Sequence, residues 1–176
     1  MRQGTGARAP HRITACRNRH AAGARVPSRR RPRALLSGDI RLPDLGLTVR
    51  AAAAETGGRL SLIESAGQTP GTGPRRHVHT REDEAFYVIE GSYSWERGDG
   101  RLTATPGSFI WLPRGVPHRF IVGPSGGRML HLFVPGGIDR YFVEWQAAIG
   151  SGETDDDAIT ELAGRYGLAY ETDAAG

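Results

Sequence analysis

The sequence has no lysine, a single cysteine and no long apolar run, and each absence removes a class of protein. All 23 basic residues are arginine, a bias that reads as base composition of the gene more than as a physical requirement. Cys16 has no partner cysteine, so no internal disulfide can form and packing alone must hold the fold, which suits the cytoplasm. No stretch approaches the ~20 apolar residues of a membrane span, and the N-terminal segment lacks the apolar core of a secretory signal. Acidic residues are missing from the first 33 positions, which hold ten of the 23 arginines. The remainder carries 13 arginines against 19 acidic residues, a net of −6, so the formal charge of +4 belongs to the N-terminal segment. Neither a nucleic-acid partner nor a membrane is expected of the acidic part.

What is present sorts into three parts. Residues 1–36 carry Arg, Ala, Gly and Pro without apolar periodicity, and Arg29–Arg33 is a like-charge block around one proline. Such a segment buries too little surface to order itself, so a disordered tail is expected, in preference to a targeting peptide or an arm for an anionic surface. Residues 37–137 read as short strands punctuated by Gly and Pro, at 39–42, 47–54, 59–65, 76–80, 84–90, 92–96, 101–105, 108–112, 119–122 and 128–134. Many short strands with regular turns predict an all-β, antiparallel double-sheet barrel. In residues 138–176 the period changes: Tyr141, Phe142, Trp145 and Ile149 recur at helical spacing over 139–149, and a second helix is expected over 155–165. The aromatic stripe is read as packing against the barrel. At 176 residues the chain suffices for one such domain.

One stretch within the strands carries chemistry. His77 and His79 stand two apart, so on an extended segment both imidazoles share a face. Glu84 opens the next apolar run, and a turn through residues 81–83 folds it back beside them. His118 opens another run after the segment bracketed by Pro113 and Pro117. A lone buried histidine is more often a hydrogen-bonded core residue than a ligand. Three imidazoles and a carboxylate buried together with nothing to pair them would be expensive, so His77, His79, Glu84 and His118 are read as ligands of one metal ion. The mixed nitrogen and oxygen set suits a divalent transition metal (Fe, Mn, Co, Ni, Cu or Zn) over calcium or magnesium. An octahedral ion would keep two positions open for substrate, water or oxygen.

These residues resemble a known family. Gly71-x5-His77-x-His79-x4-Glu84-x6-Gly91 is similar to the first cupin motif, and Gly107-x5-Pro113-x-Gly115-x2-His118 to the second, nine spaced positions in all. The fifteen residues between them, 92–106, resemble the short version of the fold in small microbial cupins. The resemblance implies the cupin double-stranded β-helix, a jelly-roll barrel, with short C-terminal helices. It departs at Val122, where the family often carries Asn, which makes the pocket wall more apolar. Residues 135–142 and 161–167 resemble the tail of small cupins similar to quercetin dioxygenases. The family also implies a homodimer paired through its outer sheet, with Trp95, read as exposed, or residues 47–54 as the surfaces offered.

Counting alternation from each ligand places Phe86 and Val88 inward with Glu84, and Phe120 and Val122 inward with His118, as an apolar substrate-binding lining. His131, whose strand carries no ligand to fix its phase, is read as a core histidine. The leading expectation is a dioxygenase-like, quercetinase-like oxidoreductase for a small aromatic or enolisable substrate, with Glu84 as both ligand and base. The alternatives are a non-redox metal-dependent isomerase or cyclase, and a non-catalytic barrel that binds a small ligand.

Overall fold

Two long antiparallel strands, β5 (Asp83–Arg97) and β8 (His118–Val134), form the spine of the computed structural model, which describes residues 38–152 and 155–171. The basic segment 1–36 lies outside the described residues. The first half of β5 pairs with the last half of β8 (Glu84 opposite Phe133, Phe86 opposite His131), and its second half with the first half of β8 (Trp95 opposite Phe120, Arg97 opposite His118). Sequence reading breaks each strand in two, at Gly91 and at 123–127; both are continuous. Gly91 has φ 78°, and a Cβ there would lie 2.1 Å from the carbonyl oxygen of Gly126. The glycines absorb a register shift on both strands and bend the ribbon instead of ending it.

The remaining strands extend this ribbon. β3 (Ser61–Ala66) pairs with the last part of β8, β2 (Leu47–Ala51) with β3, and β1 (Ile40–Leu42) with β2. β6 (Gly100–Ala104) and β7 (Phe109–Leu112) pair with β5, and β4 (His77–His79) pairs with the start of β8. Every pairing is antiparallel, so the architecture is the all-β double-stranded β-helix expected from the sequence.

Two corrections concern the surfaces offered for pairing. The strand expected over 47–54 stops at Ala51, and Ala53–Thr56 forms the one-turn helix α1, because Ala favours helix and Glu55 accepts a hydrogen bond from the Ala52 amide at 3.0 Å. Trp95 is not exposed but 1% accessible, since the shift at Gly91 reverses which side chains of β5 point inward.

The inward side chains build two apolar clusters. One joins Phe86, Val88, Tyr93, Trp95, Phe120 and Met129 across β5 and β8. The other joins Val49, Ile63 and Phe133 to Tyr141 of α2 (Asp139–Gly150) and Leu162 of α3 (Asp156–Arg165). Phe142 and Trp145 pack against the second cluster, as expected of the aromatic stripe. Asp155 caps α3 by accepting from the Asp157 amide at 2.7 Å. After Gly167 a strand absent from the sequence reading, β9 (Leu168–Tyr170), returns to pair with β4, His77 opposite Tyr170 and His79 opposite Leu168. Among the described residues no helix is long and apolar enough to cross a membrane.

Candidate metal centre

His77 and His79 lie on one face of β4, both buried, with Val78 turned the other way and half-buried. The pairing of His77 with His118 brings the first residue of β8 beside them, their ring centroids 4.4 Å apart. Glu84, at the start of β5, enters from the next strand. Its Oε2 lies 3.3 Å from Nε2 of His79 and 3.1 Å from Nε2 of His118. One donor atom from each of His77, His79, Glu84 and His118 falls within 4.8 Å of all the others. The four side chains are only 2–8% exposed.

Orientation is set from behind. Nδ1 of His77 donates to the carbonyl of Arg75 at 2.7 Å, and Nδ1 of His118 to that of Val116 at 3.0 Å. A carbonyl can only accept, so each of these Nδ1 atoms carries the hydrogen and each Nε2 is turned inward, that of His118 against Oε2 of Glu84 at 3.1 Å. His79 lacks such a carbonyl; its Nδ1 faces Oε2 of the buried Glu82 at 3.7 Å. The second oxygen of Glu84, Oε1, faces Nδ1 of His131 at 3.7 Å, and Nε2 of His131 meets Ser65 Oγ at 3.0 Å.

The electrostatics are those of a cation site filled by protons. Burial alone would raise the Glu84 carboxyl, but the positive His79 ring and hydrogen bonds from His118, His131 and His79 hold it well below the usual carboxylate range. Burial likewise disfavours charge on His79, yet the carboxylates of Glu84 and Glu82 push it up to about 9. For His77 burial dominates, aided by the neighbouring His118 and His79, and brings it down to about 3. The cluster thus holds an anionic carboxylate, a neutral imidazole and a charged imidazole, whose proton a metal ion would replace. The donor chemistry and spacing fit one divalent transition metal.

Sequence reading brings together the four donors found adjacent here. Phe86, Val88, Phe120 and Val122 also point inward, and they meet as a packed cluster: Phe86 lies 4.4 Å from the Trp95 ring and 6.0 Å from that of Phe120. Phe86 touches the site through His131, at 4.6 Å between centroids. Two open clefts on the described surface, of about 450 and 510 Å³, are lined by none of Phe86, Val88, Phe120 and Val122 and by none of the four donors. One neighbour of the donors, Glu82, escaped the sequence reading; His131, read as a core histidine, is buried and bonded to Ser65, and it also faces Glu84. No sequence signal marks Glu82.

Residues 67–134 match the family described as the cupin domain. No curated protein matches the chain significantly. Solved structures similar to it include KdgF from Halomonas sp., at 21% identity over 54% of this chain and 84% of that one, with a TM-score of 0.47. An RmlC-like cupin from Shewanella frigidimarina is 22% identical over 55% and 82%, with a TM-score of 0.44. The polyketide cyclase RemF from Streptomyces resistomycificus is 28% identical over 51% and 65%, with a TM-score of 0.42. The matched stretch, residues 67–134, contains all four donors.

Proposed function

We propose that the protein is a metal-dependent oxidoreductase of the cupin dioxygenase type, acting on a small aromatic or enolisable substrate. The observation that carries this reading is the buried group of three imidazoles and one carboxylate, with donor atoms within 4.8 Å of one another. A divalent ion held by His77, His79, Glu84 and His118 would supply Lewis acidity and, if redox-active, an electron path to oxygen. Glu84 is the base by position: its Oε2 lies among the other donors while its Oε1 faces His131 at 3.7 Å. A substrate hydroxyl proton taken by Glu84 leaves the enolate or phenolate that oxygen chemistry requires. The apolar cluster around Phe86 and Phe120 packs behind His131 and keeps water from that side of the site.

A second reading keeps the base and omits the redox step, as an isomerase or cyclase. The contact of Glu84 Oε1 with the His131–Ser65 pair favours it, because proton transfer alone would use that arrangement. The test is metal analysis of protein purified without added metal, followed by oxygen-electrode assays with flavonols and related enols after loading with Fe(II), Mn(II), Co(II), Ni(II) or Cu(II). Stoichiometric redox-active metal with substrate-dependent oxygen uptake is expected. Bound zinc without oxygen uptake moves the assignment to the second reading, and absence of any bound metal overturns both.

A further inference from the structure

The three imidazoles of the centre are held in two different ways. His77 and His118 rest on backbone carbonyls two residues earlier, fixed by the strands themselves. His79 has no carbonyl to rest on, and its Nδ1 makes no hydrogen bond. The polar atom before it is Oε2 of Glu82, 3.7 Å away, which is also without a hydrogen-bond partner. Glu82 is 4% exposed, and it sits in the short turn between β4 and β5 where a residue facing water would close the turn equally well. Its neighbours behave that way: Arg81 reaches the carbonyl of Arg165 at 2.9 Å, and Asp83 pairs with Arg114 at 3.1 Å. A carboxylate buried without arginine or amide donors is unfavourable for folding. Arg114, paired with Asp83, acts on Glu82 only as a nearby charge; the polar group facing its Oε2 is the ring that carries a metal-facing nitrogen on its other side.

We propose that Glu82 is a positioning residue for the metal centre, accepting the Nδ1 hydrogen of His79 and so holding its Nε2 toward the ion. The proposal rests on the metal-binding reading of the four-residue cluster. A carboxylate behind an imidazole raises the electron density at the far nitrogen more than a neutral carbonyl does, so His79 is the strongest of the three nitrogen donors.

The test uses the full chain and its E82Q and E82A variants, stripped of metal and titrated with Co(II) against a competing chelator, with the visible Co(II) spectrum and metal-free thermal midpoints recorded. Gln keeps the shape and an acceptor but removes the charge; Ala removes both. Co(II) affinity is expected to fall about 10- to 100-fold in E82Q and further in E82A, with shifted absorption bands. The midpoint of the metal-free protein is expected not to fall. Wild-type affinity and an unshifted spectrum in both variants overturn the role of Glu82 alone. So does a lowered metal-free midpoint with affinity unchanged, which marks a merely structural residue. A wild-type protein that takes up neither Co(II) nor Zn(II) overturns the metal reading and this inference with it.

Discussion

Two glutamates are buried in this barrel in opposite ways. Glu64 on β3 lies between two guanidiniums, 2.7 Å from Nε of Arg50 and 2.5 Å from Nε of Arg128. Glu84, more deeply buried, has no arginine in contact among the described residues and is surrounded by His79, His118 and His131. Arginine stays charged at any accessible pH, so the Glu64 network is satisfied permanently and stiffens the sheet. A histidine nitrogen can exchange its proton for a metal ion, as a guanidinium cannot, so the charge opposite Glu84 can be replaced by another cation. The fold uses fixed counterions where it needs cohesion and exchangeable ones where it needs chemistry.

That contrast can be broken experimentally. Glu84→Gln removes the base while keeping the size of the side chain; turnover is expected to fall about 100- to 10,000-fold, more than metal content falls. Equal loss of both would reduce Glu84 to a ligand. His79→Ala is expected to lower metal affinity by at least about 100-fold, more than a supporting residue costs, while circular dichroism shows a folded barrel. Unchanged metal content would place the centre elsewhere. On the other side, Glu64→Ala removes the buried carboxylate shared by Arg50 and Arg128, which keep Asp39 and Glu90, and is expected to cost about 1 kcal/mol in denaturant unfolding, with or without metal. A dependence on metal would link the two sites.

The smallest effect is one of pH. Burial raises the Glu64 carboxyl, but hydrogen bonds from Arg50 and Arg128 outweigh it and hold the group below its ordinary 4.5. A depressed carboxyl stabilises the fold fully above the unfolded value and loses that contribution as pH falls through the folded one. Stability of the metal-free protein should therefore drop below about pH 4.5, and Glu64→Gln should flatten that limb. An equally steep limb in the variant would shift the acid sensitivity to other groups.

The four donors were legible because their signal is local: a period of two on β4, and fixed intervals to Glu84 and His118. The ribbon that carries them was less so. Gly91 and the run from Gly123 to Gly127 carry the usual marks of turns, yet here they make bulges within continuous strands. Each bulge resets the phase of alternation. Inward residues of β8 pass from His118, Phe120 and Val122 to Met129, His131 and Phe133, so the direction of His131 could not be counted from His118. Trp95 was misread as exposed for the same reason on β5. β9 left no trace because three residues are too few for a periodic signal, and its place depends on a partner some ninety positions earlier.

That late strand has a consequence for how the protein is made. β4 is three residues long, and among the described residues it touches β8 through one registered pair, while β9 supplies the other three. The ribosome delivers His77, His79, Glu84 and His118 well before residue 170. Until Tyr170 has cleared the exit tunnel, the strand bearing two of the four donors has one edge uncovered, so that edge is closed only after β1 to β8 have all been delivered.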